Sequence, residues 1–230
     1  MSVIRGARER ARLEVTAAIK QEARRQLAVE GASRLSLRAV ARELGMVSSA
    51  LYRYFPSRDD LLTALIVDAY DALGTTAEEA LADTEGAVPV ERWKAVCRAI
   101  RAWALAHPHE YALLYGSPVP GYSAPQDMVV PASRVGRALI EVARDAHRRG
   151  RLDLPAGEPL PDAVRTDVER LAADMLVELP EPVLAGLTAA WSQVFGLVGF
   201  EVFGHFDHLV EARDEFFDHA CVRLAHQVGI

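Results

Sequence analysis

Cysteine is nearly missing. Only Cys97 and Cys221 occur in 230 residues. Each lies in a stretch of helical periodicity, and neither belongs to a C-x-x-C pattern, which fits a reduced, intracellular chain. An N-terminal signal pattern is not visible either: Arg5, Arg8, Arg10 and Arg12 are not followed by an apolar segment, so no export leader is expected. No uninterrupted apolar run reaches about 18 residues, so no membrane span is expected and a cytoplasmic location is. Period-two alternation is missing over any useful length, as are repeats and low-complexity tracts, which leaves no strand to place. There is no G-x-S-x-G, no H-E-x-x-H, no Walker A and no dinucleotide fingerprint, so neither enzyme activity nor a cofactor is expected. The histidines offer little more. His107 and His109 flank Pro108, while His205, His208 and His219 fall near a helix end at a spacing that specifies no metal. They read as solvated or capping residues, with no metal.

What is present is apolar and helical. Half of the residues are hydrophobic, enough for a sizeable core and against disorder of the whole. The net charge of −6 hides a division: residues 1–60 hold 12 Lys+Arg against 7 Asp+Glu, a formal +5, and residues 61–230 hold 14 against 25, a formal −11. A basic head on an acidic body suits phosphate binding at one end only. Residues 1–9 read as a flexible arm. Helices are expected at about 10–30, 58–82 (the link between head and body), 90–107 and 108–115. After a Gly/Pro-rich loop at 116–125, four more are expected at about 126–149, 162–179, 183–203 and 209–228. The fold class is all-α: an N-terminal three-helix head and a larger helical body, divided as 1–56 and 57–230.

Residues 36–60, SLRAVARELGMVSSALYRYFPSRDD, carry the densest signals. Leu37, Val40, Ala41 and Leu44 share one helix face, Ser36 is a natural N-cap before them, and Gly45 suits the turn after them. Ser48 or Ser49 can cap a second short helix that carries Leu51 and Phe55 inward. Pro56 stops it, and Ser57-Arg58-Asp59-Asp60 has the form of a capping box for the next helix. Two helices joined by a short glycine turn form a helix-turn-helix at 36–55, whose second helix enters a DNA major groove.

With GASRLSLRAVARELG and LYRYFPSRDDLLTAL, this head resembles the TetR family of bacterial transcription regulators over roughly residues 12–70. The run AAWSQVFGLVGFEVFG is similar to a C-terminal subgroup marked by a Trp…His-Gly motif; Trp191 and Gly196 match, and Phe195 stands where the histidine would. The resemblance implies double-stranded DNA with a palindromic operator as one partner. By position in the motif, Tyr52, Tyr54 and Arg58 are expected on phosphates. Val47, Ser48, Ser49, Ala50 and Arg53, with Arg38 from the preceding helix, are expected to face bases. Arg38 is the best candidate for guanine, because a guanidinium bonds O6 and N7 together, with a phosphate contact as the alternative. The family also implies a homodimer through the last two helices and a body enclosing a small, largely apolar effector. Trp103, Tyr111, Tyr115, Met128, Trp191 and Phe195 are the aromatic-rich candidates for its pocket, against the plainer reading that they are core. The expected activity is that of a repressor released by its ligand. A ligand-responsive activator and a protein-interaction scaffold are the alternatives.

Overall fold

The computed structural model describes residues 2–125, 128–154 and 159–230. Among them the regular elements are helices only, as the missing period-two pattern requires. The chain forms two compact units, residues 1–70 with 108–128, and residues 71–107 with 129–230.

The first unit contains α1 (Ser2–Glu30), a 3-10 turn (Ala32–Arg34), α2 (Leu37–Glu43), α3 (Ser48–Leu51), the start of α4 (Arg58–Asp83) and α6 (Pro108–Tyr115). Residues 2–9 of the expected arm are instead the first two turns of α1, and Met1 lies outside the described residues. Its Arg and Glu residues are good helix formers, and Gly6 alone does not break the run. α1 stops at Gly31, whose φ of 80° suits glycine and whose N–H still reaches the Leu27 carbonyl at 3.0 Å. Ile19, Ala23 and Leu27 of α1 meet Leu37, Val40 and Ala41 of α2, Leu51 and Phe55 around α3, and Leu61, Leu62 and Leu65 of α4 in one buried cluster. Lys20 and Arg24 reach Asp68, each at 2.7 Å, and Arg24 also reaches Glu110 at 3.0 Å, which ties α1 to α4 and α6.

The second unit contains the rest of α4 with α5 (Pro89–Ala106), α7 (Val129–Arg148), α8 (Asp162–Met175), α9 (Glu181–Val202) and α10 (Arg213–Val228). Gln126 and Asp127, the expected start of the seventh helix, lie outside the described residues. α8 ends four residues before the expected stop, because Leu176 takes a left-handed conformation (φ 53°). The last helix begins at Arg213 rather than near Leu209. Gly204 (φ 75°) and His208 (φ 62°) keep the preceding residues in turns.

Packing here combines apolar stripes with paired charges. Trp93, Val96, Cys97 and Ile100 of α5 are fully buried, as are Val142 and Ala143 of α7 and Val194 and Val198 of α9. Arg92 Nη1 meets Asp145 Oδ2 at 2.8 Å inside this core. Arg101 grips Glu201 with two bonds of 2.6 and 2.7 Å, and Arg98 bonds Asp218. Gly74 of α4 sits against α7: a Cβ there would come within 2.7 Å of Arg134 Cβ. Arg134 lies across α4 and bonds Asp71, Thr75 and Glu78. α9 is long and apolar enough to cross a membrane by length and composition, with mean hydropathy 1.5, although charges interrupt any longer run. Its stripe Val183, Leu184, Leu187, Ala190, Val194 and Val198 is buried in this unit.

Candidate functional site

The motif at 36–55 is built almost entirely from local signals. Ser36 accepts a hydrogen bond from the Ala39 N–H at 3.4 Å and caps α2. Gly45 has φ 64°, and the Met46 N–H returns to the Ala41 carbonyl at 2.8 Å, closing the turn. The cap of α3 is Val47, with extended backbone and no side-chain bond, so neither Ser48 nor Ser49 caps it. The serines lie inside the first turn, one and two residues past the position from which a side-chain oxygen can bond the free N–H groups of that turn. α3 itself is one turn long. The Phe55 N–H still bonds the Leu51 carbonyl at 3.1 Å, so the helical path continues as turns. Leu51 and Phe55 are buried as expected.

That inward packing leaves an outward face. Val47 is 70% exposed and Tyr52 42%. Ser49, Arg53 and Arg38 are exposed, and Ser48 and Ala50 are half-buried. Among the described residues no carboxylate lies within ion-pair distance of Arg38 or Arg53. The other two phosphate candidates sit differently. Tyr54 is half-buried against the head core, with the Arg12 guanidinium 5.9 Å from its ring centre. Arg58 donates to the carbonyls of Ala32 and Ser33 at 2.8 and 3.4 Å, which pins the 3-10 turn to the start of α4. The capping box beside it is real, though its second half is inverted. Ser57 Oγ accepts from the Asp60 N–H at 3.1 Å and donates to the Asp60 carboxylate at 2.7 Å.

The six pocket candidates fall into both units. In the first, Tyr111 and Tyr115 lie 5.2 Å apart, Tyr115 meets the edge of Tyr70, and Tyr122 donates to Met128 Sδ at 3.4 Å. Burial pushes the phenols of Tyr111 and Tyr115 well above the usual tyrosine range. In the second, Trp103 is buried and stacks on His107, whose Nδ1 sits 2.9 Å from the Trp103 carbonyl at the end of α5. Trp191 and Phe195 pack at 5.6 Å. An apolar hollow of about 220 Å³ lies among α7, α8 and α9, walled by Leu139, Ile140, Leu171, Met175, Leu187 and Trp191. Of the six candidates only Trp191 lines it. The residues missed were aliphatic, and a search for aromatics passes over them. The one available signal was Gly136 in mid-helix, which faces this hollow, with open space where a Cβ would stand.

The outer side of α9 and α10 is a wider depression of about 980 Å³, lined by Gly196, Leu197, Phe200, Phe216, Ala220 and Arg223. Phe200, Phe203 and Phe216 are 53, 43 and 40% exposed.

Comparisons with known proteins agree with this geometry. Residues 19–65 match a family described as bacterial regulatory proteins, tetR family, and residues 93–224 match a tetracyclin repressor-like C-terminal domain. The chain is 41% identical over 202 residues to the HTH-type transcriptional regulator Rv1816 of Mycobacterium tuberculosis, covering 87% of this chain and 86% of that protein. The solved regulatory protein SCO4313 superposes with a TM-score of 0.78 at 32% identity, covering 95% of this chain and 98% of that one. RolR, solved in complex with resorcinol, shares the fold at a TM-score of 0.52 and 14% identity, with 96 and 94% covered.

Proposed function

The chain belongs to the TetR family of transcription regulators, and from that premise we propose that it is a cytoplasmic repressor released from a palindromic operator by a small, largely apolar ligand. It is a DNA-binding regulator of helix-turn-helix type. In the proposed division of roles, residues 1–56 bind DNA and residues 57–230 bind the ligand and a second copy of the chain. The observation that carries the DNA assignment is the outward face of Arg38, Val47, Ser49, Tyr52 and Arg53, which no carboxylate neutralises among the described residues. Ser48 and Ala50 are small enough for the backbone to approach base edges. Tyr52 serves phosphates, with Tyr54 and Arg58 holding the backbone around it. Two copies joined through α9 and α10 would place their motifs about 34–36 Å apart, one turn of DNA. Phe200, Phe203 and Phe216 supply an apolar face of the kind such joining buries.

The release step follows from α7. The helix walls the hollow through Leu139 and Ile140, and it grips α4 through Arg134. α4 then runs without a break back to Arg58, beside the motif. A ligand that spreads α7 from α8 and α9 would move Arg134, and α4 with it. It shifts the equilibrium only by its differential affinity for the two states. RolR, which shares the fold, was solved with a small aromatic of suitable size.

The test is selection of genomic fragments by the purified protein, followed by gel shift at fixed salt. A palindrome bound in a salt-sensitive manner, and lost on adding a compound that binds the body, is the expected result. Binding that ignores sequence, or a bound ligand that leaves operator affinity unchanged, overturns the repressor reading.

A further inference from the structure

The hollow among α7, α8 and α9 is partly open and lined mostly by aliphatic side chains, and its polar atoms are few. Ser133 Oγ donates to the Val130 carbonyl at 2.9 Å, and Thr188 Oγ1 donates to the Leu184 carbonyl at 2.9 Å. Both hydroxyl protons are therefore committed to their own helices. Among the described residues no carboxylate lines the hollow. A ligand must bury an apolar body here, because a buried polar group without a partner is strongly disfavoured. At interior packing density about 220 Å³ accepts a body of roughly ten non-hydrogen atoms.

A second hollow adjoins the first. Ile140 and Met175 line both, so they form the partition. The outer hollow carries Arg134, Arg137 and Arg144. Arg134 is held by Asp71 and Glu78, and Arg144 by Glu141. Arg137 differs. Its Nε donates to Ser133 Oγ at 3.3 Å, and no carboxylate pairs with it among the described residues. Ser133 lines the apolar hollow, so the bond sets this exposed side chain beside that hollow's edge. Ser133, Gly136, Arg137 and Ile140 form one i, i+3, i+4, i+7 stripe on α7. The partition residue Met175 is an unbranched thioether that changes shape easily. Trp191, another wall residue, is 38% exposed and forms the solvent side of the hollow.

We propose that the effector is a small amphipathic anion, with an aromatic or branched aliphatic body in the apolar hollow and a carboxylate held by Arg137. This deepens the ligand-released reading above and rests on it. A charge placed inside the apolar hollow would be unfavourable, whereas a planar guanidinium at its edge pairs with a carboxylate through two parallel bonds. A cationic ligand finds no carboxylate free to receive it, since Glu78 and Glu141 are already paired with arginines.

The test is calorimetric titration of the full-length protein with three probes of one shape: 4-phenylbutyrate, 4-phenylbutanol and 4-phenylbutylamine. The carboxylate should bind at least tenfold tighter than the alcohol, and the amine more weakly than either. Arg137→Gln should bring the carboxylate to the alcohol's affinity and leave the alcohol unchanged. Gly136→Leu should fill the hollow and abolish binding of all three, while melting at or above the wild-type temperature, which shows that it folds. The proposal fails if the alcohol or amine matches the carboxylate. It also fails if Arg137→Gln keeps the preference, if Gly136→Leu still binds, or if none of the probes binds at millimolar concentration. If 4-phenylbutyrate binds in the expected pattern yet leaves operator affinity unchanged in gel shift, the ligand class stands and the release model falls.

Discussion

Arginine has opposite fates on the helix-turn-helix face and in the core of the second unit, while Arg24 elsewhere in the first unit is itself paired with Asp68 and Glu110. In the helix-turn-helix region, Arg38 and Arg53 point outward and no carboxylate answers them among the described residues. In the second unit, Arg92, Arg98 and Arg101 are consumed by Asp145, Asp218 and Glu201. The same side chain serves as an exposed charge for an outside anion in one place and as an internal fastener in the other. The difference is in the neighbours: the head is basic and short of acids, and the body is acidic. Arginines in the body with no carboxylate partner among the described residues then stand out. Arg137 lies beside the apolar hollow and Arg223 lines the α9–α10 depression.

The largest effect should come from breaking a fastener. The Arg101 side chain is 14% exposed and that of Glu201 6%. Arg101→Ala leaves a buried carboxylate without its partner, and unfolding free energy should fall by about 3–5 kcal/mol. Thermal or urea denaturation measures it. The double change Arg101→Met with Glu201→Leu sharpens the point, because removing both buried charges together should cost far less than removing Arg101 alone. If the single and double changes cost the same, these pairs are not what holds the second unit together.

The matching change in the head should leave stability nearly unchanged and act on DNA. Arg38→Ala is expected to cost about 1–3 kcal/mol of operator binding and to relax preference at one base pair. Tyr52→Phe should weaken binding evenly across sequences, since a phosphate contact carries no base information. Gel shifts on operator and scrambled duplexes at one salt concentration separate the two. Equal losses on both duplexes for Arg38→Ala would move that residue from bases to phosphates.

A smaller effect tests the local signals that shape the head. Ser36→Ala removes the cap of α2 and should destabilise the chain by about 1 kcal/mol. Exchange of the Ala39 amide proton reports it directly. An unchanged protection factor there would show that tertiary packing alone holds the start of α2.

These experiments also bear on what could be read from the sequence. The motif was legible because its determinants lie within a few residues of one another: Ser36 with Ala39, Gly31 after α1, Gly45 after α2, Ser57 with Asp60. The cap of α3 was misread because two adjacent serines offered themselves, while the extended backbone fell on Val47. The helix count of the body was legible from apolar spacing. Its fasteners were not, because Arg101 and Glu201 are 100 residues apart and Arg98 and Asp218 are 120 apart. Nothing local marks such a pair. Apart from Gly136 in mid-helix, the hollow was illegible for the same reason. It is a void between α7, α8 and α9, and a void has no residue of its own.

The smallest effect is on pH dependence, and it distinguishes fasteners that are buried from those nearer solvent. Hydrogen bonding from Arg98, aided by its charge, holds the Asp218 carboxyl below the usual aspartate range; Arg134 does the same for Glu78. A carboxyl with a depressed folded-state pKa stabilises the fold above its unfolded value of about 4. That contribution is lost as pH falls through the depressed value. Both side chains are partly solvated, at 30 and 49% exposure, so each pair contributes about 0–1 kcal/mol. The melting temperature should therefore be insensitive to these groups above about pH 5 and should decline below about pH 4. Asp218→Asn should lower the plateau slightly and flatten the decline. A variant whose acid limb is as steep as that of the wild type would show that Asp218 keeps its proton equilibrium unchanged on folding. The Arg98 bond would then be a surface contact with no share in stability, unlike the grip of Arg101 on Glu201 one turn along the same helix.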